Sequence, residues 1–367
     1  MDKKEFETLI TNGIESTRYL AVDESRMLAD PARYYKGGKP DLQLFDKKLY
    51  EVNPDDKVAI ARAAAEEVLG KDERIISVDS SYSDGEGSSY RLISNGFEGE
   101  SKSTWFSVSA SVSIKGEGEA RPQDYWYDSA LFYDKLTKTG IGAKALERVL
   151  RKLGQKKAKS GKYTMVVDPM NVGNLLSPML SALYGSALQQ KNSFLMDKLD
   201  TKVASDLFTL RDEPHAIGAN GSRYFDNEGV ATEPRTVFDK GVLKTYFIDT
   251  YNGKKMDIAP TISTPSRLIL TPGDKDLNGL VADIKQGILV TGFNGGNSNS
   301  STGDFSYGIE GNLIEDGKLT QPVNEMNVTG NMVTLWNSLV AVGNDPQPNR
   351  SWQIPSLVFE GVDFSGL

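Results

Sequence analysis

Apolar and polar residues along the chain recur with two periods, and the switches between them outline the fold. Phe6, Leu9, Ile10 and Ile14 fall at helical spacing, so the chain begins in a helix. Residues 21–52 lose the period, with Pro31, Pro40 and the Gly37-Gly38 pair among them. Asn53-Pro54-Asp55-Asp56 then opens a second helix: Asn caps it, Pro suits the first turn, and two acids face its positive end. That helix runs through Ala63, Ala64 and Ala65 to a stop at Gly70. Beyond it the period changes to two. Residues 75–82 and 88–94 read as strands, with Asn95-Gly96 as a turn. From 106 to 114 the alternation is strict: Phe106, Val108, Ala110, Val112 and Ile114 on one face, Ser107, Ser109, Ser111 and Ser113 on the other. The apolar face is expected to pack on the helix at 54–69, leaving the serines wet. Tyr125-Trp126-Tyr127 predicts another strand, either a ligand platform or ordinary sheet packing, and Ile141 to Leu153 a third helix.

Beyond a basic, polar stretch at 155–162, Tyr163–Val167 reads as a strand and 172–188 as an apolar helix. Residues 203–210, 236–249 and 267–271 are β-like, and 277–285 a short helix. The strongest pattern lies between Gly287 and Asn331. An apolar run (Ile288, Leu289, Val290) gives way at Phe293 to a loop of Gly, Asn and Ser, and Asp304 opens a strand with Phe305, Tyr307 and Ile309 on one face. Glu315-Asp316-Gly317-Lys318 predicts a hairpin turn, and Leu319–Met326 its return strand. Thr329 is placed as the cap of a helix carrying Met332, Leu335, Trp336 and Leu339 on one face and stopping at Gly343. Residues 354–364 return as a strand. The predicted class is α+β in two domains, mostly antiparallel sheets with packed helices, and a barrel- or sandwich-like second domain. The basic stretch divides them, giving an N-terminal domain at 1–158 and a β-rich C-terminal domain at 159–367.

Composition narrows the chemistry more than the fold. The 367 residues are 38% hydrophobic and 25% charged, the balance of an ordinary globular protein. A net charge of −8 disfavours nucleic acid as a partner. No apolar run approaches the roughly 20 residues of a membrane helix, and the charged start MDKKEFETLI is no signal peptide, so neither membrane nor secretion is expected.

There is no cysteine and one histidine. These exclude disulfides, thiol nucleophiles and the common zinc sets. His215, in Asp212-Glu213-Pro214-His215, could serve as a base, yet no nucleophile motif accompanies it. Asp168, Asp226, Asp249 and Asp304 sit near strand ends and offer carboxylates for acid–base work or a hard cation. The loop from Phe293 to Asp304 is either a mobile surface loop or a binding loop whose backbone donors contact peptide or a second subunit. Its candidate contact residues are Asn294, Asn297, Asn299, Thr302 and Asp304.

Several long stretches carry a family likeness: SNGFEGESKSTWFSVSASV from Ser94, DYWY from Asp124, GSALQQKNSFLMDKL, FDNEGVATEPR, GVLKTYFIDTY, GILVTGFNGGN, STGDFSYGIEG, VGNDPQP and IPSLVFEGV. In that order they resemble the TldD/PmbA family, also called modulator of DNA gyrase, whose members include a microcin-processing peptidase. The resemblance implies a cytoplasmic zinc metallopeptidase of two subunits that degrades or matures peptides. Its catalytic branch carries an HExxxH motif on a helix of the second domain. Aligned on Gly185 and Ser193-Phe194-Leu195, that motif falls at Leu176–Ser181, where this chain has Leu, Ser, Pro, Met, Leu and Ser. The chain therefore resembles the PmbA/TldE branch, which lacks the metal site.

The likeness implies a non-catalytic subunit with no catalytic residue and no cofactor of its own, zinc being expected only in a catalytic partner. The expected partners are a TldD-like HExxxH subunit, a second copy of the chain, or both, together with peptide substrates. Relatives normally begin with a further β-rich segment, so the N-terminal domain is expected to be incomplete. The alternatives are a stand-alone homodimeric peptide-binding protein, or a hydrolase using carboxylates or His215.

Overall fold

The structure is a computed structural model and describes residues 2–367. Helix α1 (Lys3–Thr17) forms with Asp2 and Glu5 closing a capping box, but none of its residues is buried. Phe6, Leu9, Ile10 and Ile14 share a face and stay exposed. Asn53 caps α2 (Pro54–Glu66) through the Asp56 N–H, as its sequence demands.

The next two strands form a hairpin far longer than the period predicted. β1 (Ile75–Ile93) and β2 (Phe97–Ile114) are each continuous, so the expected break between 82 and 88 does not exist. With 19 and 18 residues they extend about 60 Å at ~3.3 Å per residue. β3 (Gln123–Ala130) pairs with the lower half of β2 and completes a three-stranded antiparallel sheet. The alternation at 106–114 is realised: all five apolar side chains are at most 1% exposed. They pack on α2, through Ala64, on Val68 just past its end, and on α3 (Ile141–Leu150), through Ile141, Ala145 and Val149. Gly142 lets the two helices touch, because a Cβ there would collide with the Ala64 carbonyl.

The upper half of the hairpin leaves this core and crosses to the second half of the chain. At its tip Phe97 is 1% exposed, wedged among Tyr34 (5.2 Å), Phe225 (5.1 Å) and Gly229. Asn95 fastens the turn, donating to the Ala29 carbonyl and accepting from the Tyr34 hydroxyl at 2.9 and 2.5 Å.

β4 (Gly161–Val167) comes next. The apolar stretch after it is not one helix but two, α4 (Gly173–Ser181) and α5 (Gly185–Gln189). They are split where Tyr184 bridges to Phe247 and the Gly185 N–H donates to the Phe247 carbonyl. Short strands then build a five-stranded sheet: β5 (Leu210–Asp212), β6 (Arg235–Asp239), β7 (Val242–Leu243) and β8 (Leu268–Leu270), with one edge strand arriving later. The predicted strand at 203–210 is mostly loop, and only Leu210 of it pairs. Helices α6 (Thr250–Met256) and α7 (Leu277–Ala282) punctuate this region.

The last third, together with β4, forms the barrel. β9 (Gln286–Ser298), β10 (Asp304–Glu315) and β11 (Lys318–Asn331) make consecutive hairpins; after them come α8 (Met332–Asn337), β12 (Leu339–Val342), β13 (Trp352–Gln353) and β14 (Leu357–Ser365). Strand order β11-β10-β9-β4-β14, closed by pairing of the end of β14 back to β11, gives a five-stranded barrel; β12 pairs with the start of β14, and β13 joins β8. Pairing is antiparallel except for β4 with β9 and β13 with β8. Apolar runs serve two cores here: Met165, Val167, Ile288 and Val290 face the main core, while Val166 and Leu289 sit under Leu280 and Val281 of α7. Trp336 of α8 closes the main core against Phe208 and Phe359.

Two further details differ from the sequence reading. β11 continues past Thr329 and Asn331 is the cap of α8, its side chain accepting from the Val333 N–H. That helix ends at Asn337, so Leu339 begins β12 and Gly343 terminates a strand rather than a helix. The α+β class, with mostly antiparallel sheets and a barrel in the second half, is what the structure shows.

Candidate functional site

A charged cleft lies where the three-stranded sheet meets the barrel. Its volume is about 350 Å³, and its lining includes Ser111, Gln123 and Tyr125 from the sheet, Arg148 from α3, Lys152 from the turn after it, and Thr291–Asn294 and Glu310 from the barrel. Arg148, in the last turn of α3, and Lys152, in the turn that follows it, point to the same side, four residues apart. Asp124, at the start of β3, receives both: Arg148 Nε at 3.3 Å and Lys152 Nζ at 3.2 Å. Each cation then crosses to the barrel. Arg148 Nη1 lies 3.0 Å from Asp168 Oδ2, and Lys152 Nζ lies 2.7 Å from Glu310 Oε1. The side chains of all five are between 5% and 16% exposed.

Buried charges of this kind are stable only when fully paired, and here they are. Burial works against the Arg148 charge, yet Asp168 and Asp124 outweigh it and hold the guanidinium above its usual range. Arg148 Nη2 also donates to the Thr291 carbonyl at 3.3 Å, and Asn171 Nδ2 donates to the same carbonyl at 2.8 Å. Those two bonds end the pairing of β9 with β4, which stops at Val290. From residue 292 to 298, β9 is paired only with β10, so its other edge lies open beside the cleft.

The predicted contact loop is mostly strand. Asn294 and Asn297 belong to β9, and only residues 299–303 turn. The composition misled because small residues are needed where the strands approach closely: a Cβ on Gly296 would strike the Ser306 carbonyl, and one on Gly311 the Leu289 carbonyl. Asn294 lines the cleft and donates to Asn324 Oδ1 at 3.4 Å. Asn297 is exposed, opposite Ser306. At the hairpin tip Asn299 Oδ1 accepts from the Ser301 N–H at 2.9 Å, and Thr302 Oγ1 donates to Asp304 Oδ2 at 2.7 Å. Asn331 Nδ2 donates to Asp304 Oδ1 at 3.0 Å, and Asn331 with Thr302 holds that carboxyl below its usual range. Ser300 and Ser301 tie the tip to Asn192 Oδ1 at 2.7 and 2.5 Å. The structure thus gathers Asn299, Thr302 and Asp304 at the tip and leaves Asn294 apart, in the cleft.

The flagged acids do not converge on one another. Asp168 serves Arg148; Asp226 accepts from the N–H groups of Glu228, Val230 and Ser263; Asp249 caps α6. His215 shares a 3.0 Å hydrogen bond with Thr232 Oγ1 and packs its ring 5.0 Å from Tyr224. Burial, with Lys39 nearby, lowers its pKa. Among the described residues no group of three His, Cys, Asp or Glu could hold a metal ion. The segment Leu176–Ser181 lies in α4 with Leu176, Met179 and Leu180 at most 1% exposed in the main core, a setting that does not fit zinc. No described helix is long and apolar enough to cross a membrane.

Comparison with known proteins agrees with this architecture. Residues 47–153 match the PmbA/TldA metallopeptidase central domain, and residues 160–366 the PmbA/TldA metallopeptidase C-terminal domain. Among curated relatives, the metalloprotease PmbA homolog of Haemophilus influenzae is 28% identical over 98% of this chain and 81% of its own length. Metalloprotease PmbA of Escherichia coli O157:H7 is 26% identical over 96% and 78%. A Bacteroides thetaiotaomicron crystal structure, described as a modulator of DNA gyrase, is 73% identical and superposes with a TM-score of 0.98, covering 100% of this chain and 84% of that one. The structure of TldE from Thermococcus kodakarensis shares the fold at 21% identity, with a TM-score of 0.81 over 100% and 86%.

Proposed function

This chain belongs to the TldD/PmbA family, and from that premise we propose that it is the PmbA/TldE-type, non-catalytic half of a two-subunit metallopeptidase. Its work is to hold extended peptides for a TldD-like partner carrying the HExxxH motif, in the cytoplasm, with zinc supplied by that partner. The observation that carries the reading is α4: where the catalytic branch places its ligands, this chain buries Leu176, Met179 and Leu180 in the core. A zinc ion there would need polar ligands facing an open position.

The part proposed for this chain is peptide capture. The open edge of β9 from 292 to 298 presents backbone donors and acceptors at the mouth of the cleft, so an extended peptide can add to it as a strand. Asn294 and Asn297 on that strand, with Asn299, Thr302 and Asp304 at the tip, form the proposed contact surface for peptide or partner. Within this proposal the chain divides at 158/159: the first part supplies the cleft's sheet wall and the second its barrel wall.

The test is to bind labelled extended peptides to the purified chain and N-methylate alternate backbone amides. Strand addition predicts that N-methylation weakens binding by about 1.4 kcal/mol, roughly tenfold, while scrambling the side chains changes little. Equal binding of the methylated and unmethylated peptides contradicts it.

A further inference from the structure

The wet face of the three-stranded sheet continues outward from the cleft. Ser109 and Ser111 of β2 lie opposite Tyr127 and Tyr125 of β3, and the two tyrosine rings stack at 6.0 Å and 23°. Ser81 and Ser109 hydroxyls meet at 2.9 Å, and Gln123 Nε2 donates to Ser111 Oγ at 2.8 Å. The result is a floor of small hydroxyls with an aromatic rail beside it. Tyr125, 52% exposed, also lines the cleft, so floor, rail and cleft share one surface.

Arg350 reaches onto this rail from the other half of the chain. Its guanidinium carbon sits 4.6 Å above the Tyr127 ring. The segment bearing it is well fastened: Asp345 accepts from the N–H and hydroxyl of Ser356 at 2.9 and 2.8 Å, and Gln353 Nε2 donates to the Arg350 carbonyl at 2.6 Å. Among the described residues no carboxylate pairs with the Arg350 side chain. Burial lowers its pKa, and Tyr125 is the titratable group that acts against this. Arg148, inside the cleft, is by contrast neutralised by two aspartates. A partly desolvated guanidinium stacked on one ring and free on its rim is poised to take a planar anion in the geometry that suits carboxylates.

We propose that Arg350, with Tyr127 and Tyr125, forms a subsite for a carboxylate of the bound peptide, either an Asp or Glu side chain or the C-terminal group. The proposal rests on the peptide-capture reading above and adds a preference to it. Backbone addition to β9 is blind to sequence, whereas this subsite selects an acidic group lying over the sheet. The chain's net charge of −8 repels acidic peptides at long range, so a preference for them requires a local cation.

The experiment measures binding of short alanine-rich peptides to the full chain by fluorescence anisotropy. One pair carries Asp or Asn at an internal position, and a second pair a free or amidated C-terminus. The expected result is that one acidic form binds about tenfold tighter than its neutral match, that the pair showing the effect identifies the source, and that Arg350→Gln binds both forms alike. Tyr127→Phe, which keeps the ring, retains the preference, and Tyr127→Ala weakens it. Thermal unfolding confirms that each variant is folded. Equal binding of acidic and neutral peptides by the unsubstituted chain, or a preference that survives Arg350→Gln, overturns the subsite and leaves peptide capture standing. Absence of binding to every peptide overturns both.

Discussion

Phe97→Ala tests whether the long hairpin is fastened to the second half of the chain by one aromatic wedge. Phe97 is 1% exposed and lies between Tyr34 and Phe225, with Gly229 and Gly99 leaving it room; a Cβ on Gly229 would come within 2.6 Å of its ring. Re-exposing a fully buried Phe accounts for about 2–3 kcal/mol. The void adds to this, because the surrounding backbone is held by Asn95 and cannot collapse, so the expected total is about 3–5 kcal/mol. About 0.5–1.5 kcal/mol of that belongs to the ring pairs and should appear as coupling in a Phe97→Ala, Phe225→Ala double-mutant cycle. Urea unfolding gives the stability change. Amide exchange across 84–104 reports the hairpin itself, whose upper half should lose protection while the sheet around Val112 keeps it. A loss below about 1 kcal/mol, with unchanged exchange at the tip, would refute the wedge.

Three further outcomes are expected. Val112→Asp places an unpaired charge against Val149 and Ala145 and should destabilise by several kcal/mol, about 3 or more, whereas Ser111→Asp on the wet face should change stability by less than about 1 in the same urea assay. Arg148→Met leaves Asp168 and Asp124 buried without their shared cation and should cost about 3–5 kcal/mol, and Asp168→Asn should recover part of that loss in the double variant. His215 has its pKa lowered in the fold, so the unfolded chain takes up the proton first as pH falls. Stability should therefore decline as pH drops below the ordinary value of 6.5 and level off below the folded-state value, and His215→Gln should remove that slope from the melting-temperature profile.

Much of this architecture was legible because one residue type repeated at one spacing. The strand at 106–114 announced both its conformation and its buried face, since every apolar side chain there meets the same two helices. The cap at Asn53 and the turn at Asn95-Gly96 were equally direct, being local chemistry. The hairpin tip at residue 303 was obscured because glycine has two uses. At Gly296 and Gly311 it permits close strand approach rather than a turn, so a composition typical of loops sits inside β9 and β10. Thr329 competes with Asn331 for the cap of α8 because, two residues earlier, it is as good a capping residue in isolation; only the pairing of β11 with β10 through Asn331 decides between them. The charged cleft could not be read at all. Asp124, Arg148, Asp168 and Glu310 are spread over the chain and meet only once the barrel closes against the sheet. Of these only Asp168 stood out in the sequence, for a different reason.

The central claim is that this chain captures peptide without cutting it. The most direct measurement incubates a defined peptide mixture with the purified chain, with an HExxxH subunit of the family, and with both, and tracks the products by mass spectrometry alongside peptide binding. The account predicts that the chain alone binds peptides and leaves them intact, and that cleavage appears with the HExxxH subunit, increases when this chain is added, and is abolished by a chelator. Cleavage by the chain alone, whether or not a chelator stops it, would contradict the account.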